Sequence, residues 1–449
     1  SNFDLRYSAG WISVVDIGRA LDASARLGPS PTSAQRAADA LLDKQLRVMP
    51  LAGGMALSAD GRSLAVTHRG VASLSLIGVG TDGTTFDCGD ADSEADLSTA
   101  EKYTDCDRAH LFRTECTINS LSDRERPAGC PWESAGKRVF AEDLAPEELT
   151  DPFAVAFVPD PMLPGQAILA VSHLTAGSDT DQSNRLLLFG VDGGTAAMAG
   201  LTPRRALGFG RTIGIGSLSA RVGAEGAFLA GGAQALASAS GPRAWVYSVD
   251  LTRTLQSGED VRWSTHDIGE SVDGYELAEF AFVPTNPDLA LATTRHGTTG
   301  ALADTLLLLD TTLATRIEGN GLGVAPTYAL EPRYSFRDAV VLPGKPAHLQ
   351  YVQRLDGSEL VLVSGFADNV VYVIALSAGR LQLAGRMEVP GEGPFAVAHA
   401  VHGGKDYLLV GTFYTHGLCF FDISGDDFTT PRLVAELHSD ETPSAQPAR

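Results

Sequence analysis

The sequence predicts an all-β fold, a single seven-bladed β-propeller spanning residues 1–440 with a disulfide-stapled loop insertion at 80–137. Three observations carry that expectation. One short apolar strand recurs seven times, strand–turn–strand units precede several of the copies, and 48 glycines with 23 prolines supply the turns such a chain needs.

The recurring strand reads WISVVD at Trp11–Asp16, ASLSLIGV at Ala72–Val79, RLLLFGVD at Arg185–Asp192 and WVYSVDL at Trp245–Leu251. It returns as TLLLLDTT at Thr305–Thr312, VVYVIALS at Val370–Ser377 and LCFFDISG at Leu418–Gly425. The copies lie roughly 50–65 residues apart, with one longer gap, and that period suits a four-stranded blade. Each copy reads as a third strand. Ahead of them, Gly54–Gly70 forms a strand, an Asp60-Gly61 turn and a second strand. Phe153–His173 and Phe395–Gly411 follow the same plan, as does Glu279–His296 with its turn at Asn286-Pro287-Asp288. Fourth strands are weaker: Leu46–Leu51, Arg138–Leu144, Arg386–Pro390 and Arg432–His438.

Some segments break the repeat. The first blade begins at its second strand, Phe3–Ala9, with no first strand before it. Within 20–43 the alanine-rich stretch from Ser33 to Leu46 reads as a short helix. Residues 80–137 and 313–333 are long excursions, and the polar, proline-bearing tail 441–449 reads as disordered.

The small-residue strand, the turn in Ser58–Val66 (SADGRSLAV) and the WISVVD strand together resemble the YVTN/lactonase-like propeller group. The resemblance covers nearly the whole chain outside the insertion. It implies the propeller fold. Members of that group serve as enzymes, surface proteins and scaffolds, so it implies no single function.

A net charge of −21, from 34 basic and 55 acidic residues, repels polyanions and anionic lipid, which excludes nucleic acid as a partner. No apolar run approaches the roughly 18 residues of a transmembrane segment. Cys88, Cys106, Cys116 and Cys130 fall together in the hydrophilic insertion. Two disulfides are the expectation, with sequential pairing the first of three connectivities; zinc ligation and free thiols are the weaker readings. Disulfides imply an oxidising compartment, hence a bacterial exported protein of the periplasm or outer cell surface, and the abrupt start leaves room for a lipid anchor upstream of Ser1. Cys419 lies in an apolar strand and reads as a buried core thiol.

No nucleophile elbow, zinc-protease helix motif, P-loop, dinucleotide fingerprint, haem attachment motif or complete calcium loop is present. Gly208–Gly216 is glycine-rich but precedes a strand, so it is no phosphate loop. Histidines follow several second strands: His68, His173, His296 and His416. On one propeller face they could hold a metal ion, calcium or copper being the candidates, although polar strand-capping is the plainer role. Residues entering first strands, Phe153, Glu276, Arg337 and Phe395, mix aromatic, acid and base as a ligand-binding channel mouth does. The lactonase-like resemblance implies a calcium ion held there by Glu, Asn and Asp. Glu276 and Glu279 could serve, but no asparagines stand at matching positions.

The expected function is therefore a non-catalytic extracytoplasmic binding or scaffold propeller with a protein partner and no resident cofactor. The alternative is a metal-assisted hydrolase or oxidoreductase with its site at the central channel mouth. A carbohydrate or small-ligand binder is the third class, for which exposed aromatics such as Trp132, Trp263 and Tyr414 would speak.

Overall fold

The computed structural model describes residues 10–27, 41–48, 52–68, 73–83, 85–87, 103–105, 111–113, 152–173, 185–191, 201–208, 215–233, 245–257, 262–265, 276–295, 304–318, 327–415, 417–428 and 432–438. The chain divides into two compact units. Unit 1 comprises residues 1–12, 43–297 and 308–337; unit 2 comprises 13–42, 298–307 and 338–449.

The strands in chain order begin with β1 (Gly10–Val15), followed by helix α1 (Ile17–Leu27), β2 (Leu41–Val48), β3 (Ala52–Leu57), β4 (Ser63–His68), β5 (Ser73–Val79) and β6 (Phe86–Asp87). Next come β7 (Tyr103–Asp105), β8 (Leu111–Arg113), β9 (Pro152–Pro159), β10 (Ala167–His173), β11 (Arg185–Val191) and β12 (Leu201–Gly208). Then follow β13 (Ser219–Gly223), β14 (Gly226–Ala233), β15 (Trp245–Asp250), helix α2 (Leu251–Ser257) and β16 (Arg262–Thr265). The chain continues through β17 (Glu276–Val283), β18 (Asn286–Arg295), β19 (Thr305–Asp310), β20 (Leu313–Glu318), β21 (Thr327–Pro332) and β22 (Ser335–Val341). The last are β23 (Pro346–Gln353), β24 (Glu359–Gly365), β25 (Val370–Ser377), β26 (Arg380–Glu388), β27 (Pro394–His402), β28 (Lys405–Thr412), β29 (Gly417–Asp422) and β30 (Arg432–His438).

These strands build propeller blades. Blade 1 is β3-β4-β5-β6, with β8 also pairing β5; blade 2 is β9 to β12 and blade 3 is β13 to β16. Blade 4 has the order β17-β18-β19-β22, blade 5 is β23 to β26 and blade 6 is β27 to β30. The fold is all-β and propeller-like, as the sequence predicts. Six of the seven recurring strands occupy the third place of a blade. The copy at Trp11–Asp16 forms β1 instead, in a three-stranded sheet ordered β1-β2-β7. There β7, from the insertion, pairs β2 in parallel with Gln45 opposite Tyr103. The described residues thus hold six blades rather than seven. The chain turns into α1 directly after β1, as it turns into α2 directly after β15 before reaching the fourth strand β16.

The third strands are apolar at nearly every position because both faces are covered. In blade 2, Leu169, Val171, Leu187 and Phe189 pack with Ala65, Leu74 and Leu76 of blade 1. The intervening residues Ile168, Ala170, Leu186 and Leu188 pack the other way, on Ala227, Leu229 and Val249 of blade 3. Each fully buried leucine contributes about 1.5–3 kcal/mol. Unit 2 repeats the pattern, with Leu360, Leu362, Val371 and Val373 of blade 5 against Leu408, Val410, Cys419 and Phe421 of blade 6. Cys419 is a fully buried free thiol, and burial pushes it up to about 12.

Several local expectations need correction. The helix near the N-terminus is Ile17–Leu27; of the stretch from Ser33 to Leu46, Leu41–Leu46 lie in strand β2 rather than a helix, and residues 33–40 lie outside the described residues. Asp16 caps α1, its Oδ1 accepting from the Arg19 N–H at 2.9 Å. Ile17, Ala20 and Leu21 then face Phe420, Ala435 and Leu437 of blade 6. Leu46 and Val48 are buried with Val66 and Ile77, which holds that segment extended. The turn expected at Asn286–Asp288 lies at Pro284-Thr285, with Val283 opposite Asn286. The excursion 313–333 carries the two-stranded antiparallel ribbon β20–β21. In blade 1 the described strand in the fourth place is β6; the segment Arg138–Leu144 lies outside the described residues, as do the tail 441–449 and the segment Phe3–Ala9. The Asp60-Gly61 turn forms as expected: Gly61 has φ 70°, and Asp60 Oδ1 accepts from Ser58 Oγ at 2.6 Å and the Arg62 N–H at 3.0 Å. Those bonds lower the Asp60 carboxyl below its ordinary value.

Candidate functional site

Each blade presents two edges: one where first strands begin and second strands end, and one formed by the turns joining them. At the first edge, hydroxyl side chains near the ends of second strands fasten neighbouring blades. Thr67 Oγ1 donates to Phe153 O at 2.8 Å, Ser172 Oγ to Ile215 O at 2.7 Å and Ser364 Oγ to Phe395 O at 2.8 Å. In each case the acceptor carbonyl leads into the next blade's first strand. Opposite these hydroxyls the first strand bulges, as register shifts in β3, β9, β17, β23 and β27 show. The freed N–H groups are taken up locally, Ala154 N by Ser172 Oγ at 3.1 Å and His348 N by Ser364 Oγ at 3.0 Å. In blade 3 the hydroxyl position is Gly232, where a Cβ would lie 2.9 Å from Leu277 O of the next first strand. Small or hydroxylated residues there are thus required by close approach.

The sequence-predicted site residues fall on this edge unevenly. Phe153 and Phe395 occupy equivalent positions, and their carbonyls receive the hydroxyl bonds described above. In blade 4 that place belongs to Leu277, with Glu276 one residue before it and opposite Arg295. Arg337 lies on the fourth strand β22 and is exposed, not at the entry of a first strand. The first strand that follows is β23, where Ala347 and His348 stand in the corresponding place. Phe153, Glu276 and Arg337 belong to unit 1 and Phe395 to unit 2.

His68 and His173 end second strands of blades 1 and 2, and both are buried rather than set in open loops. His68 Nε2 shares a hydrogen with Ser75 Oγ at 2.7 Å, while the His173 carbonyl accepts from the Ile215 N–H at 3.1 Å. His296, His416 and the cysteines Cys88, Cys106, Cys116 and Cys130 lie outside the described residues, as does Trp132. No group of three or more His, Cys, Asp or Glu side chains with metal-binding geometry occurs among the described residues. Glu279, one residue past the bulge in β17, is pushed up to about 8 by burial, with the Arg295 charge acting the other way. His348 is pushed down to about 4 by burial, and its Nδ1 accepts from the Val397 N–H at 3.4 Å.

Four rings gather at the same edge of unit 2. Phe366 follows β24, Phe395 opens β27, and Phe413 and Tyr414 follow β28. Ring centroids lie 5.4 Å apart for Phe366–Tyr414, 5.2 Å for Phe413–Tyr414, 6.2 Å for Phe395–Phe413 and 6.3 Å for Phe366–Phe395. Phe395 is 38% exposed and Tyr414 59%. Repeat alignment singles out Phe395 alone, yet Phe366 and Phe413 each directly follow a second strand, a signal that would have found them.

The turn edge has a different chemistry. Arg221 near the end of β13 is buried, donating to Pro287 O at 2.9 Å, Thr311 O at 2.6 Å and Asp288 Oδ1 at 2.8 Å. Arg354, after β23, does the same for blades 5 and 6. It reaches Ile423 O at 3.1 Å, Gly425 O at 2.9 Å and Asp426 Oδ1 at 2.6 Å. These guanidinium clamps join the turn of one blade to the third-strand end of the next. Around them the turns expose large apolar side chains. In unit 1 these are Leu57, Met162, Leu163 and Val222, on three successive blades; in unit 2 they are Leu355 and Val401, on two.

No family model matches the sequence, and no curated protein matches it either. Solved structures are similar in fold. A periplasmic gluconolactonase of Pseudomonas aeruginosa aligns over 86% of this chain and 85% of its own, at 15% identity and a TM-score of 0.49. Hydrazine synthase of Kuenenia stuttgartiensis aligns over 87% of each chain at 14% identity and a TM-score of 0.46. A protein of unknown function from Desulfotomaculum acetoxidans aligns over 88% of each at 13% identity and a TM-score of 0.46. Among the described residues no helix is long and apolar enough to cross a membrane.

Proposed function

We propose that this chain is a non-catalytic, extracytoplasmic binding propeller that docks a protein partner on the turn edge of its blades. The observation that carries the reading is the repetition of exposed aliphatic side chains at one structural position. Leu57 is 55% exposed, Met162 40%, Leu163 39% and Val222 49%. Turns between first and second strands ordinarily carry polar residues. Scattered exposed apolar residues need no explanation, but a set placed on three successive rigid blades does. The buried Arg221 clamp beside Val222 fixes the backbone that displays them, which lowers the entropy lost on docking. The periplasm or cell surface is the compartment this reading assigns, from the cysteine-bearing insertion and the acidic, polyanion-repelling surface.

The test is a triple variant, Leu57→Ser, Leu163→Ser and Val222→Ser. Partners are captured from the native extracytoplasmic fraction by cross-linking, identified, and their affinity is measured with purified components. The expected outcome is at least a tenfold weaker Kd with an unchanged unfolding midpoint. A variant that binds the same partner as tightly as the parent overturns the reading.

A further inference from the structure

The aromatic edge of unit 2 lies away from the turn edge and presents its own chemistry. The loop Pro390–Pro394 reads Pro-Gly-Glu-Gly-Pro, and its Glu392 backbone is hydrogen-bonded to Tyr414 and Thr415 at the edge of the ring cluster. Both flanking glycines are left-handed, Gly391 at φ 101° and Gly393 at φ 67°. A Cβ on Gly391 would lie 2.4 Å from Thr415 Oγ1, and one on Gly393 2.8 Å from the Tyr414 ring and 3.1 Å from the Phe366 ring. The loop is therefore built to lie directly on the aromatic cluster. It is pinned there, Glu392 N donating to Thr415 Oγ1 at 3.2 Å and Glu392 O accepting from the Tyr414 N–H at 3.1 Å. Asn369, itself left-handed at φ 56°, accepts from the Gly393 N–H at 2.9 Å. All of these fastenings use backbone or other side chains. The Glu392 carboxylate itself is exposed and makes no ion pair among the described residues.

We propose that Glu392, Tyr414 and Phe395 form a recognition site for an arginine side chain of a partner polypeptide. An exposed ring face attracts a cation through its quadrupole, and a guanidinium prefers such a face because it is planar and weakly hydrated. A carboxylate held next to the ring can accept the guanidinium fork in two parallel bonds. The net charge of −21 draws a basic segment toward the molecule as a whole and makes a neutral or acidic occupant less favoured. The rigid loop adds the local geometry that the long-range field lacks. This site goes beyond the turn-edge reading and stands or falls apart from it.

The experiment uses the full chain and a fluorescein-labelled glycine–arginine repeat peptide, followed by anisotropy, with its glycine–citrulline counterpart as the uncharged isostere. The arginine peptide is expected to bind at least about fivefold more tightly than the citrulline peptide. Tyr414→Ala and Glu392→Gln should each weaken it by about fivefold, whereas Glu225→Gln, an equal change of net charge at an exposed turn of unit 1, should not. Tyr414→Phe should retain binding, because the ring and not the hydroxyl carries the contact. Equal losses in Glu392→Gln and Glu225→Gln would overturn the proposal, leaving only general charge attraction. Equal binding of the citrulline peptide, or no binding of either peptide, would overturn it as well.

Discussion

Blades 5 and 6 are joined at two edges, and the two joints are made of different chemistry. At the turn edge a buried cation, Arg354, gathers the carbonyls of Ile423, Ser424 and Gly425. At the opposite edge a neutral hydroxyl, Ser364 Oγ, lies between the carbonyls of His348 and Phe395. A guanidinium has five donors in a fixed fork, so one side chain can saturate a whole turn. A hydroxyl has one donor and suits two strands in direct contact. The difference decides what each edge can display. Arg354 occupies the space under the turn and leaves Leu355 and Val401 pointing outward, at 57% and 50% exposure. Ser364 occupies almost none, so the ends of β24 and β28 can carry the bulky rings Phe366 and Phe413.

The strongest way to break this comparison is Arg354→Ala. Arg354 is 6% exposed, it bonds Ser358 Oγ as well as the carbonyls, and its guanidinium lies 5.6 Å from the Phe428 ring centroid. Its removal leaves the buried Ile423 carbonyl without that donor and a void beside Phe428. A destabilisation of about 3 kcal/mol is expected. Equilibrium denaturation followed by the signal of unit 2 checks it, and Arg354→Lys should recover less than half of the loss because an ammonium cannot span the fork.

The second test is one of pH at the hydroxyl edge. His348 has a folded pKa pushed down to about 4 from an ordinary 6.5. Between those values the unfolded chain binds the proton and the folded chain does not. Stability contributed here is thus present above pH 6.5 and is lost as pH falls toward 4, by up to about 1.4 kcal/mol per pH unit. The variant His348→Gln should flatten the stability–pH profile across that window by close to one proton. An unchanged slope would mean that the imidazole charges freely in the folded state.

The blades themselves were legible because burial on both faces leaves a mark in the sequence. Leu186–Phe189 and Leu306–Leu309 are continuous apolar runs, since alternate side chains pack on different neighbours. The end of the alanine-rich stretch, Leu41–Leu46, is strand and not helix for the opposite reason. The alanine-rich stretch has helical propensity, but Leu46 and Val48 gain more by burial with Val66 and Ile77 in a strand. The true helix carries plainer marks, Asp16 as cap and Ile17, Ala20 and Leu21 on one face. Of the candidate sites, Phe395 was legible through the repeat, whereas Arg337 was assigned to a first strand because the β20–β21 ribbon displaces the fourth strand of blade 4 to β22. The clamps Arg221 and Arg354 could not be read at all. Each gathers backbone carbonyls at least 66 residues away, and a carbonyl has no sequence signature.

A smaller effect separates the two joints further. Ser364→Ala removes one hydroxyl and leaves Phe395 O and His348 N without that partner, which should cost about 1–2 kcal/mol. Ser364→Gly should cost more, and Ser364→Thr less, because threonine keeps the donor and Thr67 fills the corresponding place in blade 1. The readout is again chemical denaturation, with the fluorine resonance of a fluorotyrosine substituted at Tyr414 reporting whether the ring cluster loosens at lower denaturant than the core. Coincident transitions would show that the hydroxyl edge melts with the blade and is not a separate weak seam.

The smallest expected effect falls on the side chain that the turn edge displays. Leu355 is largely solvated, and its backbone N–H donates to Asp406 Oδ2 at 3.1 Å whatever the side chain. Leu355→Ser should therefore change stability by less than about 0.5 kcal/mol, as surface substitutions do. That near-silence is informative when set beside Arg354→Ala one residue earlier. If the turn edge serves only to hold blades together, both its exposed and its buried residues should register in stability, and neither in binding. If it is a docking edge held rigid by its clamp, the two residues separate. Arg354 then controls stability, and Leu355 controls partner affinity with the fold intact. A stability loss for Leu355→Ser comparable to that for Arg354→Ala would mean that Leu355 is part of the joint, and the division between fastening and display at this edge would fail.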